Sequence, residues 1–571
     1  MNRFLEDLRA LIGEERRHST LDLIGAVFAF IVTFLLFYPF SLVGVDAHHD
    51  GILLKPALDV LRGQVLFRDT FSQYGAVTTY IQSAFLLGFG PTLKVMKISV
   101  VVFYALSAWA LWLSSSFFLP RSLTLLSFLV WLSLAPFYGP TNQMVAWSSV
   151  YALFFQAFAQ LCVLYSLRSS RPGIWAWAAG ISVALTFLCR QPAGILTFVA
   201  VFLTFLISAR VRDGRFRLVD GQGAPNLTVT FTSGVALILS IFLAWLVSQG
   251  ALHDWIFQQF TWPRMWLGRV GGTGVLRILQ SLFPVKDYNS FLVLGVIAVA
   301  LAFRTGTKKT WRFWLILALV VAVVNVFDRK LFLLPASWAI PVPLTVLVFF
   351  VVGFWALVRK RLILNFQLMP VAAMVLIGLA SWAQYYPVHC INHIYWGLSP
   401  SIGFFIFLWF VAVRRSQWVT FGVISAFWLP GVAHDFKMIY QNFSRPLKVF
   451  EQAGPLTGMW VAPDHYTAWV QLIEAINQYL ASRPATPMLI ISIDALPATL
   501  VANLKNPGPF YVDWAITDLS AERVRFIDEN LPLIFRKDVK VSPELEAAIS
   551  RHHYELLASN PLGAVYGVPL L

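Results

Sequence analysis

Asp46-Ala47-His48-His49-Asp50 places four titratable side chains within five residues, directly after the first long apolar run of the chain. Partial desolvation at a membrane boundary raises the basicity of a carboxylate, and such a carboxylate suits removal of a proton from a hydroxyl. The same side chains are all metal-ligand types, so a divalent metal near Asp46, His48 and Asp50 is a second chemistry open to this loop. A structural role is the third: Asp50 before Gly51-Ile52-Leu53-Leu54 reads as a helix N-cap. Further on, Arg68-Asp69 supplies either a second carboxylate or a turn residue paired with its neighbour.

Two more segments carry candidate groups. Cys189-Arg190-Gln191-Pro192-Ala193-Gly194 separates two apolar runs. The planar fork of Arg190 suits a phosphate; the alternative is an arginine snorkelling to the interface. In Gln384-Tyr385-Tyr386-Pro387-Val388-His389-Cys390-Ile391-Asn392-His393-Ile394-Tyr395-Trp396, the two histidines lie four apart, a spacing that on a helix would put both on one face. No HExxH pattern accompanies them, and interfacial aromatics with hydrogen-bonded histidines are the structural alternative. Asn142, Gln143, Asp254, Arg264, Arg269, Asp328, Arg329 and Lys330 are further polar candidates between apolar runs. Cys162, Cys189 and Cys390 form no CxxC pair, so neither a disulfide framework nor a zinc site follows.

The elements that must position these groups are membrane helices. The 571 residues are 58% hydrophobic and only 12% charged, with mean hydropathy +0.69. Soluble domains are about 25% charged, which excludes a soluble multidomain enzyme, and the same composition excludes a disordered chain. Long unbroken apolar runs, without period-two alternation, exclude a membrane β-barrel. A net charge of +15 would suggest nucleic acid in a soluble chain. Here the basic residues collect in every second loop, as the positive-inside rule requires, and no nucleic-acid partner is expected.

A span needs ~20 apolar residues. The sequence offers thirteen: 20–43, 92–116, 121–137, 145–167, 173–189, 191–209, 228–249, 289–303, 311–327, 334–357, 363–384, 393–413 and 417–436. The Arg-rich loops put the N-terminus in the cytoplasm and residues 440–571 outside. The N-terminus lacks the pattern of a cleavable signal. The long external segments are then 44–91, 250–288 and the tail. Within the first, 72–90 reads as an interfacial or re-entrant helix, because a span there would invert every later loop. The tail has the charge density of a soluble domain. It reads as a small α/β unit with helices over 463–482, 519–529 and 542–550, a strand over 488–493 and another over 563–568. The expected fold is thus a polytopic α-helical membrane module, 1–439, with an extracytoplasmic α/β domain, 440–571.

The first-loop pattern resembles the GT-C superfamily of polyprenyl-phosphate-sugar-dependent glycosyltransferases, which includes protein O-mannosyltransferases and lipid A aminoarabinose transferases. Its elements here are Asp50, the helix 51–62, Gly63 to Phe67-Arg68-Asp69, and Tyr74-Gly75-Ala76-Val77. The resemblance implies a catalytic base at Asp50, with Asp46 as its competitor; the family's common Asp-Glu pair is absent, since Gly51 follows Asp50. It implies that Arg190 holds the donor phosphate and that His393 contacts phosphate or sugar. Arg264 or Arg269 would help neutralise the leaving group, and Asp69 and Asn142 would line the site.

The implied reaction is inverting transfer of a sugar from a polyprenyl-phosphate donor to a hydroxyl of an envelope glycan, lipid or protein. It would take place on the outer face of a bacterial inner membrane, in contact with membrane lipids. Cationic side chains suffice for a monophosphate leaving group, so a metal is not obligatory. One rival is a transporter or flippase of a lipid-linked sugar, whose mark would be an inverted repeat with charges at the midplane; no repeat is visible. The other is an O-antigen ligase or polymerase, which would place Arg and His in a large late loop. In this chain the first loop is the rich one.

Overall fold

The structure, a computed structural model, describes residues 18–138, 143–213, 226–269, 274–282, 341–358, 366–386, 390–412, 416–503, 505–506, 511–512, 518–537 and 541–569. Among these, eight helices are long and apolar enough to cross a membrane: Thr20–Leu42, Leu93–Ser116, Ser148–Ser166, Pro172–Cys189, Gln191–Val211, Leu227–Ser248, Phe366–Tyr385 and Ile391–Val411. Arg121–Ser133 and Val342–Trp355 are shorter apolar helices, and Gln417–Ser444 is a single helix of 28 residues. Expected spans 289–303 and 311–327 lie outside the described residues. The chain is a polytopic helical membrane protein with a small C-terminal α/β domain.

Helix α1 (Thr20–Leu42) starts at a capping box in which Ser19 and Asp22 bond each other's backbone N–H groups. Ala26, Ala29, Thr33, Phe37 and Phe40 form its buried stripe, and Leu21, Ile24, Phe28, Ile31 and Leu35 face outward. That is the pattern of a helix with one side in lipid and the other against the bundle. Helix α2 (His49–Leu61) and helix α3 (Ala76–Phe89) follow in the first loop. With 14 residues α3 is too short to span. Its Gln82 and Ser83 are buried, donating to the carbonyls of Ala146 and Ala57, while Leu87 and Phe89 are exposed at its far end. Helix α4 (Leu93–Ser116) then packs along α1.

Side-chain bonds gather the Arg-bearing turns at one end of the bundle. His18 bonds the Tyr165 hydroxyl at 2.5 Å and the Leu113 carbonyl at 3.0 Å. Arg121 meets Asp22 at 3.3 Å, Arg168 donates to the Phe117 carbonyl, and Ser122 donates to Gln417. The first loop, the segment after Ser248 and the tail meet at the opposite end.

Residue 440, the expected start of the tail, falls inside Gln417–Ser444; the chain leaves the helix only at Arg445. A two-residue ladder, β1 (Lys448–Val449) with β2 (Trp460–Val461), leads to helix Pro463–Ser482. The sheet of the tail is β3 (Met488–Ile491), β4 (Leu533–Arg536), β5 (Glu555–Asn560) and β6 (Gly563–Gly567), ordered β3-β4-β6-β5 with only β3 and β4 parallel. The expected helices appear as Pro463–Ser482, Ser520–Asn530 and Pro543–Arg551, and the expected strands as β3 and β6. Strands β4 and β5 are additions to the expected set. β5 is a largely exposed edge strand, so its sequence lacks the apolar alternation that marks a half-buried strand.

Candidate active site

The two carboxylates of the first loop have different surroundings. Asp50 is fully buried in the first turn of α2. Its Oδ2 pairs with Lys97 Nζ of α4 at 2.8 Å and accepts the backbone N–H of Asp46 at 2.9 Å. Lys97 also donates to the Gly44 carbonyl at 2.9 Å. The other oxygen of Asp50, Oδ1, is buried with no hydrogen-bond partner among the described residues. Asp50 anchors the loop to α4 through Lys97, and Asp46 is the carboxylate with access to solvent. His48, not Asp50, stands at the N-cap of α2, and it makes no side-chain cap bond.

The side chain of Asp46 is 31% exposed. Its Oδ1 accepts the N–H groups of His48 at 3.0 Å and His49 at 2.9 Å, and its Oδ2 meets His49 Nδ1 at 2.7 Å. Burial alone would raise its pKa. The His49 ring and backbone bonds, with the charge of His48, outweigh burial and hold the carboxyl at about 2. The group is therefore ionised at any physiological pH.

An aromatic wall connects Asp46 to Arg190. The His49 ring lies 4.5 Å from Trp147, and Trp147 lies 5.8 Å from Tyr74 and 6.4 Å from Trp396. Arg190 sits 5.9 Å over the Trp396 ring and donates to Ser149, and His393 lies 5.5 Å from Trp396. Gly75 N–H donates to the Cys189 carbonyl at 3.1 Å. A Cβ at Gly75 would stand 2.0 Å from the Leu188 oxygen, so only glycine lets the first loop approach the end of Pro172–Cys189. That contact holds the loop, and Tyr74 with it, at the end of Pro172–Cys189. The buried N–H of Trp147 has no hydrogen-bond partner among the described residues.

The segment after Ser248 closes the loop from outside. Gln258 donates to the Phe67 carbonyl at 2.7 Å, and Gln259 donates to the carbonyls of Ser72 at 2.7 Å and Tyr74 at 3.2 Å while accepting from Gln191. Gln259→Leu would leave two loop carbonyls without this donor. The expected loss is about 1–3 kcal/mol, read as a lower thermal unfolding transition in detergent. An unchanged transition would remove Gln259 as the tie between the segments.

Other expected site residues are not gathered here. Asp69 pairs with Arg68 at 2.9 Å and accepts the Val65 N–H at 2.8 Å, so it is the turn residue of the two alternatives. Arg264 and Arg269 are both exposed on helix Trp262–Arg269. Asn142 and His389 lie outside the described residues. The expected metal position at Asp46, His48 and Asp50 lacks a converging ligand set. Asp50 is committed to Lys97, and His48 Nδ1 bonds the Ile493 carbonyl at 2.6 Å. Among the described residues no three His, Cys, Asp or Glu side chains are grouped so as to hold an ion.

Sequence reasoning missed Lys97, Trp147 and Gln259. Lys97 carried the clearest signal, because a lysine within an apolar span is by default paired or functional. Trp147 carried none, since tryptophan at a span end reads as part of the aromatic belt.

No family model matches the chain, and no curated protein matches it. Among solved structures it is similar to the Archaeoglobus fulgidus oligosaccharyltransferase in complex with zinc and sulfate, at 13% identity and TM-score 0.46, over 96% of this chain and 73% of that one. It is similar to the oligosaccharyltransferase AglB from Archaeoglobus fulgidus, in complex with an inhibitory peptide and a dolichol-phosphate, at 13% identity and TM-score 0.45, over 96% and 75%. It is also similar to ArnT from Cupriavidus metallidurans bound to undecaprenyl phosphate, at 12% identity and TM-score 0.42, over 95% and 98%.

Proposed function

We propose that this chain is an integral-membrane inverting glycosyltransferase. It moves a sugar from a polyprenyl-phosphate donor to a hydroxyl of an envelope glycan, lipid or protein, on the extracytoplasmic side of a bacterial inner membrane. The observation that carries the reading is the run of rings from His49, bonded to Asp46 at 2.7 Å, through Trp147 at 4.5 Å, to Trp396, over which Arg190 stands at 5.9 Å. Arg190 stands where Pro172–Cys189 gives way to Gln191–Val211. A phosphate bound there lies at the bilayer rim with its lipid chain alongside the two spans.

In the reaction the acceptor oxygen attacks the anomeric carbon as the bond from that carbon to the phosphate oxygen breaks. The acceptor proton passes to Asp46, and the bonding electrons leave with the polyprenyl phosphate. Asp46 is a weak base in the resting protein, and the acceptor hydroxyl becomes acidic as its oxygen bonds to carbon, so late proton transfer suits it. Arg190 meets the charge developing on the phosphate, with His393 beside it. Single displacement inverts the anomeric centre. The aromatic wall of Trp147, Tyr74 and Trp396 suits the apolar face of a sugar ring.

The test is transfer by the purified chain in nanodiscs from radiolabelled polyprenyl-phosphate sugars to a crude envelope fraction. Arg190→Ala is expected to lower kcat/KM by about 10²–10³-fold, with Arg190→Lys recovering only part because it lacks the bidentate fork. Equal transfer by Arg190→Ala, or transfer from a sugar nucleotide without lipid carrier, would overturn the proposal.

A further inference from the structure

The strip of chain that presents Asp46 is fastened along one side to the C-terminal domain. Leu496 N–H, in the turn after β3, donates to the Ala47 carbonyl at 3.0 Å. His48 Nδ1 bonds the Ile493 carbonyl of the same turn at 2.6 Å. At Gly51 a Cβ would stand 2.1 Å from Leu496 N and 2.6 Å from the Ala495 carbonyl carbon, so the turn lies directly on the backbone of α2. Further along α2, the Tyr511 hydroxyl donates to the Ile52 carbonyl at 3.1 Å, and Arg62 donates to the Ala502 carbonyl. Ala495 and Leu496 are fully buried in this joint.

The same strip aims the carboxylate. Asp46 is oriented by the backbone N–H groups of His48 and His49. His48 and its neighbour Ala47 are the residues the tail holds, and Lys97 holds the other side through Asp50 and Gly44. The end of β3 therefore fixes one edge of the loop, and α4 fixes the other. A shift of the domain by a fraction of an ångström would move the His48 peptide and the Asp46 oxygens with it.

We infer that the C-terminal domain is the positioning element of the site's carboxylate, acting through His48 and the close contact at Gly51. The inference rests on the reading of Asp46 as the base, and it gives the tail a part in the transfer step beyond any part in acceptor recognition. His48 is a positioning residue. It acts through the peptide that binds Asp46 and leaves the Arg190 end untouched.

The experiment compares wild type, His48→Ala, His48→Asn and Gly51→Ala as full chains in nanodiscs. It reads backbone hydrogen exchange over residues 45–52 together with donor KM and kcat. Displacements of about 1 Å at a reacting group cost about 10²-fold. His48→Ala should lower kcat by that order at unchanged donor KM, and speed exchange over 45–52 about tenfold. His48→Asn should recover both, because its side-chain N–H can reach the Ile493 carbonyl. Gly51→Ala should fall in the same direction as His48→Ala, with the added Cβ forcing the turn away.

Unchanged exchange in both His48→Ala and Gly51→Ala, or a His48→Asn protein as impaired as His48→Ala, would overturn the inference. So would a rise in donor KM at unchanged kcat. The exchange measurement needs no sugar donor. Fast exchange in the variants of a chain that transfers no sugar would keep the joint and remove the role of Asp46 as base.

Discussion

Asp46→Asn should lower sugar transfer by about 10²–10⁴-fold, the range a positioned general base supplies, with donor binding retained. The substitution is close to isosteric. An asparagine oxygen still accepts the His48 and His49 N–H groups, so the turn keeps its shape. What is lost is the negative charge and the place for the acceptor proton. The folded carboxyl, held at about 2, lies below the ~3.9 of an unfolded aspartate. A depressed carboxyl adds stability that is fully present above the unfolded value and is lost as pH falls through the folded one, here from about pH 4 down to about 2. At neutral pH this amounts to about 2–3 kcal/mol that asparagine does not supply. Rates must therefore be compared at equal amounts of folded protein. Transfer by Asp46→Asn within about threefold of wild type would remove this carboxylate from the chemistry.

The bundle was legible in the sequence because its signal is local. A run of apolar residues is a helix in lipid wherever its neighbours lie, and arginines in alternate loops identify the segments that share an end. Arg190 and His393 stood out for the same reason: each interrupts an apolar stretch, and the structure places both beside the ring of Trp396. The choice between Asp46 and Asp50 was not local. The two stand four residues apart in one loop, and the difference between them is made by Lys97, which reaches Asp50 from another helix. Burial is a property of the packed bundle, so no pattern within 44–51 could rank the two. Gln259 was hidden in the same way, since its value lies in the Ser72 and Tyr74 carbonyls that tertiary folding brings to it. Arg264 and Arg269 were singled out by charge alone, and both are exposed on helix Trp262–Arg269.

Lys97→Met should destabilise the fold by about 3–5 kcal/mol, since removing one member of a buried ion pair leaves the other charge without compensation. Asp50→Asn should cost a similar amount by stranding Lys97 among apolar side chains. The double variant Asp50→Asn, Lys97→Met should regain most of the loss, because it buries no charge and replaces the lysine by an apolar chain of similar length. Equilibrium unfolding in mixed micelles gives the double-mutant cycle, and losses that simply add would mean that the two groups do not meet. Activity separates this pair from Asp46. In the double variant the amide oxygen introduced by Asp50→Asn can still accept the Asp46 N–H, so kcat per folded molecule should stay within about tenfold of wild type. Asp46→Asn should stay folded and inactive, while Asp50→Asn should fail chiefly by unfolding. If the stabilised double variant were as inactive as Asp46→Asn, Asp50 would have a chemical part that its burial does not reveal, and the assignment of the base to Asp46 alone would fall.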